Sequence, residues 1–435
     1  MRAPAVDPIS GPAETLARLH RGTRPFLLDG AADADGLGRY SFAGCDPDDG
    51  LIWRSGDAGD PFALLEAAQT RWQMGPIDSL PWPFAVGYLA YDLLPSDARV
   101  RGLEDDLGLP AVDFARYPAI WRFDQATGQA DVLARDGASA QHLLDRLSRT
   151  APPFAPPVVS NVRWETSDEI YFRRVERVLE YLRSGDVYQI NLSHRLRADI
   201  SGESTLPLYV RLRSLFPAPL GAYLHTDAGD LLSNSPELFL SVSGRTIETR
   251  PIKGTRPRGA DAETDERRRA ELEASEKDRA EHLMIVDLER NDLGRLSEIG
   301  SVIVEGFARS VRLPTVHHLV STVKSTLRPG VRLAEILRAT FPGGSITGAP
   351  KIRAIEIIAE LEGRERGPYC GAIGWFGGGG QLELSLAIRT AVVRGGEFFL
   401  SVGGGIVVDS TPQEELAESH AKAAAFVRAL EDLGG

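Results

Sequence analysis

The C-terminal third carries the pattern that most restricts how this chain folds. YCGAIGWF, QLELSLAIRTAVV and EFFLSVGGGIVV are apolar, β-rich runs separated by GGGG and RGG. Glycine clusters this short turn the chain straight back, so the spacing predicts three strands in an antiparallel meander. TPQEELAESHAKAAAFVRALEDL follows as a terminal amphipathic helix. The middle of the chain is also strand-rich, in DVYQINLSHRLRADI, GAYLHT, DLLSNSPELFLSVSG and RTIETRPIKG. Nearer the N-terminus, FLLDG (26–30) and YSFAG (40–44) look like strand ends, and PFAVGYLAYDLL (83–94) like another strand.

Four prolines in APPFAPPVVSNVRWE, residues 151–165, forbid a regular helix or central strand and predict a boundary loop. It divides the 435 residues into an N-terminal region, 1–155, and a larger region, 156–435. The helix that follows is capped by Ser167 and carries Ile170, Val175, Val178, Leu179 and Leu182 on one face. A long charged helix is expected from about 261 to 290.

No apolar run approaches the roughly 20 residues of a membrane span. MRAPAVDPISGPAE lacks the basic-then-apolar order of an export signal. Cys45 and Cys370 are the only cysteines and form no metal spacing or disulfide framework, which fits a reducing cytoplasm. A net charge of −12 argues against nonspecific nucleic-acid binding. The basic cluster Arg267–Arg269 is interleaved with Glu266, Glu271 and Glu273 and reads as a solvated helix face.

Several residue groups could carry chemistry, though each taken alone reads first as a structural feature. Lys253, between Pro251 and Gly254, sits where a strand ends; it is a nucleophile only as a free amine, which Arg250 and Arg256 could favour. Asp278 and Glu281 share one helix face, as do Glu415 and Glu418 on the terminal helix. Two such helices meeting would surround a hard cation with oxygen, which suits magnesium. Lys422, a turn beyond Glu418, could reach a substrate carboxylate or pair with Glu418. The loops FPGGSITGAPK and SVGGGIV could bring backbone N–H groups to an anion, with Ser345 or Thr347 capping the helix after the first. His317 and His318 are adjacent in a strand, so at most one faces a given site. Phosphate-loop, dinucleotide, HExxH and GxSxG patterns are absent.

In combination these motifs resemble the chorismate-utilising enzymes, above all the component I chains of aminodeoxychorismate synthases, with those of anthranilate synthases as near relatives. SNSPELFL, RPIKGTRPRG, EKDRAEHLMIVDLERNDLGR, FPGGSITGAPKIRAIEIIAELE and VGGGIVVDSTPQEE match in order and spacing. The match is close over about 160–430 and loose before it. Within that family PIKGT is typical of the aminodeoxychorismate branch and PIAGT of the anthranilate branch; this chain reads PIKGT. Gln189 stands where isochorismate-forming relatives carry a water-activating lysine, which disfavours that activity. The resemblance implies an α+β fold of two large antiparallel sheets packed as a sandwich with helices outside. It implies Lys253 as covalent nucleophile, Glu237 as general acid and His318 as an active-site histidine. It implies magnesium on Glu281 and Glu418, with Asp278 and Glu415 holding metal-bound water. Gly254, Thr255, Ser345, Tyr369, Arg389, Gly403, Gly404, Gly405 and Lys422 match substrate-pocket positions. The implied product is 4-amino-4-deoxychorismate, a precursor of 4-aminobenzoate and folate. The implied ammonia source is a separate glutaminase subunit, since neither cysteine lies on a nucleophile elbow. One departure is Leu27-Leu28-Asp29-Gly30, where many anthranilate synthases read LLES and bind tryptophan; Arg39 and Tyr40 could line the same pocket.

Overall fold

The computed structural model describes residues 2–3, 11–72 and 81–433. Residues 4–10, on which part of the export-signal reading rests, lie outside them. Among the described residues the strands form a 12-stranded and a 10-stranded sheet, antiparallel through their centres. The sheets pack face to face. Phe26, Phe42 and Leu224 of the larger meet Val86, Tyr88 and Trp375 of the smaller in one buried cluster. Strand Pro83–Leu89 is buried at every residue, because one of its faces joins that cluster and the other, with Ala85 and Leu89, joins the outer core. A continuous apolar run is what such double burial requires.

Helices cover the outer faces. Leu16, Leu143, Leu212 and Phe426 bring four helices onto the larger sheet. Leu65, Trp72, Val286 and Leu337 bring three onto the smaller. The expected α+β sandwich is therefore the fold. Both sheets draw strands from either side of residue 155. No helix among the described residues is long and apolar enough to cross a membrane.

Four local expectations are corrected. The boundary loop ends at Pro157, and Val158–Trp164 is a strand paired with Gln189–Ser201; the prolines stop where the β-rich VVSNVRW begins. Ile170 is 39% exposed, and Tyr171 takes its place on the buried face. Ser167 holds the N-cap position but makes no side-chain cap. The charged helix is two helices, Ala262–Ala274 and Glu276–Gly294. They break at Ser275, which is extended and accepts the Asp278 N–H.

The C-terminal meander differs most. It has four strands, Ala372–Gly377, Leu382–Leu386, Thr390–Arg394 and Glu397–Ile406. The first two belong to the smaller sheet and the last two to the larger. The run QLELSLAIRTAVV thus leaves one sheet and enters the other at Ala387–Arg389, with Arg389 at φ +50°.

Candidate functional site

Two such crossings build the site. The second runs from Gly229–Ser235 in the larger sheet through Pro236 and Glu237 to Leu238–Ser243 in the smaller. The crossings are laced together: the Asn234 N–H donates to the Arg389 carbonyl at 2.9 Å, and the Leu386 N–H to the Glu237 carbonyl at 3.0 Å. Glu237 and Arg389, 152 residues apart in the chain, come within each other's electrostatic reach.

Glu237 is 4% exposed. The Ser345 hydroxyl donates to its Oε1 at 2.6 Å. Burial pushes its pKa up to about 7, against the opposing pull of Ser345, Lys253, the Ile252 N–H and Arg389. A carboxylic acid near neutrality has a proton to give. Neither Ser345 nor Thr347 caps the next helix. That helix, Lys351–Glu362, starts on Pro350 without a side-chain cap, and the Thr347 hydroxyl donates back to the Gly343 carbonyl at 3.0 Å.

Lys253 lies in strand Ile252–Pro257, beside Val316–Thr326. The register slips between Lys253 and Thr255, where Gly254 has φ +69°. A Cβ at Gly254 would also stand 2.8 Å from Leu272 and 3.2 Å from Asp278, so only glycine fits. The Lys253 amine lies over Gly405: a Cβ there would be 3.2 Å from Nζ and 2.6 Å from the Gln189 amide nitrogen. Gln189 is fully buried with neither end of its amide partnered. The cations expected beside Lys253 are committed elsewhere, Arg250 to Glu248 and Arg256 to Asp278. The Lys253 charge reaches Glu237, Glu281, Glu418 and His282.

His318 places Nδ1 3.0 Å from the Thr255 hydroxyl and 3.2 Å from the Gly254 carbonyl. A carbonyl only accepts, so Nδ1 carries the hydrogen and Nε2 keeps a lone pair. Nε2 is buried without a partner. Burial, helped by the charge of Arg389, lowers the ring's pKa to about 3, so the imidazole is neutral. His317 is turned to Asp265 at 2.8 Å, as the strand alternation requires.

The two helices bring their carboxylates together. Burial raises the Glu281 pKa, and the charges of Asp278 and Glu418 add to it. Glu415 is 6% exposed; Ser410 donates to its Oε1 at 2.6 Å, and its Oε2 is buried without a partner. Asp278 pairs with Arg256 at 2.9 Å. Lys422 Nζ is 2.6 Å from Glu418 and donates to the Gly403 carbonyl at 2.8 Å. As the side chains stand, no group of three or more His, Cys, Asp or Glu among the described residues is set to hold a metal. Two carboxylates suffice for magnesium when water and substrate complete the shell, so Glu281 and Glu418 fit it, with the orphaned Glu415 oxygen nearby.

Tyr369 is seated in the smaller sheet's outer core, its ring 5.7 Å from the Arg366 guanidinium. Sequence reasoning missed Ser410, which orients Glu415, and Lys277, whose charge acts on Glu281, Glu415 and Glu418. Being next to Asp278 was the only sign Lys277 offered. Away from this site, Leu28, Asp29, Arg39, Tyr40, Trp375 and Glu383 help line a cavity of about 190 Å³ between the sheets. Asp29 there is held by Arg213 and by the Tyr209 hydroxyl at 3.3 Å.

Comparison with known proteins agrees with this architecture. The family model described as chorismate binding enzyme matches residues 33–428. The chain is 38% identical to aminodeoxychorismate synthase component 1 of Bacillus subtilis over 91% of its own length and 90% of the relative's. It is 40% identical to an anthranilate synthase component 1 of Haloarcula marismortui, over 82% and 78%. Among solved structures, anthranilate synthase component I of Streptococcus pneumoniae superposes with a TM-score of 0.79 at 30% identity, covering 90% of this chain and 92% of that one. The menaquinone-specific isochorismate synthase of Escherichia coli shares the fold, with a TM-score of 0.78 at 18% identity over 99% and 94%. The chain belongs to the chorismate-binding enzymes.

Proposed function

We propose that this family member replaces the C4 hydroxyl of chorismate with an amine, giving 4-amino-4-deoxychorismate through a covalent link to Lys253. The observation that carries this reading is the Lys253 amine over Gly405, within electrostatic reach of the buried acid Glu237 and of Glu281 and Glu418. The free amine attacks C2, the two ring double bonds shift, and the C4 hydroxyl leaves as water with the Glu237 proton. Ammonia then adds at C4, the double bonds shift back, Lys253 departs as the neutral amine, and the surplus proton returns to Glu237. Magnesium on Glu281 and Glu418 would supply Lewis acidity at the ring carboxylate. Arg389 offers a planar fork for a carboxylate.

Ammonia would come from a separate glutaminase subunit. Cys45 and Cys370 are buried, and burial pushes both thiols up to about 12, which disqualifies them as nucleophiles. In this reading the enzyme works in the cytoplasm and its product leads to 4-aminobenzoate and folate. The competing reading is anthranilate formation, supported by equally similar anthranilate synthase relatives. Incubation with chorismate, magnesium and ammonium, followed by chromatography, separates the two. We expect 4-amino-4-deoxychorismate; fluorescent anthranilate as the main product would overturn the proposal. A folded chain that binds chorismate without turnover would instead indicate a non-catalytic binding subunit.

A further inference from the structure

Lys422 neutralises Glu418 in a way the reaction above leaves unexplained. It follows Glu418 by one turn of helix Pro412–Glu431, on the same face. Its ammonium contacts Glu418 Oε1 at 2.6 Å and is anchored a second time on the Gly403 carbonyl at 2.8 Å. A Cβ on Gly404 would lie 3.1 Å from Glu415 Oε2, 3.4 Å from Glu418 Oε1 and 3.5 Å from Lys422 Nζ. Two carboxylate oxygens and one ammonium thus crowd a single point above the glycine strand. Lys253 and Lys277 also act on Glu418, but Lys422 acts most strongly.

Glu418, one of the two carboxylates that would hold a divalent cation, therefore already has a positive charge on its Oε1. An ammonium and a divalent cation in contact with one carboxylate oxygen repel each other strongly. We propose that Lys422 competes with the cation for Glu418: it fills the position in the free chain and passes to the substrate's carboxylate when cation and substrate bind together. This rests on Glu281 and Glu418 being the cation's ligands. The free chain then binds the cation weakly, and an anionic substrate tightens it by giving Lys422 a new partner. Such coupling is reciprocal, so the cation tightens the substrate by the same factor.

The test is direct binding, without ammonia. Manganese, a paramagnetic stand-in for magnesium, is titrated into the full-length chain with and without chorismate, and free manganese is read by electron paramagnetic resonance. Lys422→Met removes the charge and keeps most of the length. Without chorismate it should bind manganese about tenfold more tightly than wild type, the scale of losing one charge-assisted contact. It should also gain less from chorismate. Lys422→Gln is a second uncharged variant with the same expectation, Lys422→Arg should stay near wild type, and circular dichroism verifies each fold. Wild-type affinity in both uncharged variants would overturn the competition while leaving the cation's ligands standing. A folded wild-type chain that binds no manganese even with chorismate would overturn the ligand assignment, and this proposal with it.

Discussion

At Glu237, burial and four favourable neighbours pull in opposite directions, and burial wins, raising the pKa to about 7 from about 4.5. The group is a proton donor only below that value. Its contribution to kcat/KM should therefore be complete in mildly acid buffer and fall as pH rises through about 7. Glu237→Gln should remove that limb and cost about a hundredfold or more in turnover. The same shift has a stability sign. The folded chain holds this proton more tightly than the unfolded chain does, so stability is fully present below about 4.5 and is lost as pH rises through about 7. The loss is about 3 kcal/mol for this one group. Melting curves of Glu237→Gln and wild type should diverge in the variant's favour as pH rises from about 5 to about 8; parallel curves would contradict the burial argument. At Lys253, substitution by Ala should abolish most ammonia-dependent turnover. It should also remove any mass adduct trapped on the wild-type chain with chorismate, and an adduct persisting in Lys253→Ala would place the nucleophile elsewhere.

Strand Glu397–Ile406 shows why three consecutive glycines are not interchangeable. A Cβ on Gly403 would meet the Leu192 carbonyl at 2.1 Å, in the middle of the pairing with Gln189–Ser201. A Cβ on Gly405 meets the Gln189 amide and the Lys253 amine instead. We predict that Gly403→Ala destabilises the fold by about 1–3 kcal/mol, read as a lower melting temperature. Gly405→Ala should keep a near-native melting temperature and lose turnover by displacing Lys253. Equal loss of stability in both variants would mean that Gly405 serves the sheet and not the site. The glycine run was visible from the start, but its division of labour was not, because the spacing of glycines does not say which atoms lie above them. The meander was legible as antiparallel strands for a local reason, apolar β-rich runs joined by short glycine turns. Its break at Ala387–Arg389 was not, since a strand that changes sheets keeps the same residue pattern on both sides of the passage.

Across the whole molecule, the chain before residue 155 supplies interior strands to both sheets. Phe26–Asp29 pairs with Leu220–Thr226 in the larger, and Pro83–Leu89 with Ala372–Gly377 in the smaller. A truncated chain of residues 156–435 alone would expose those partners' edges and the cluster around Tyr88 and Trp375. It should be insoluble or lack a cooperative melt, measured by calorimetry; a cooperative melt would show that the larger region folds alone. Local patterning by itself determined the antiparallel class, most of the helices and strands, and the ordered motifs that carry the family resemblance. Those signals live in windows of a few residues, where hydrophobic period and turn chemistry act. Only the tertiary structure decided the partners: Ser345 on Glu237 across 108 residues, Arg256 on Asp278, Lys422 on both Glu418 and Gly403, and Arg389 at a passage between sheets. A charge or hydroxyl finds its partner through space, and the distance between two segments is set by how the sheets pack.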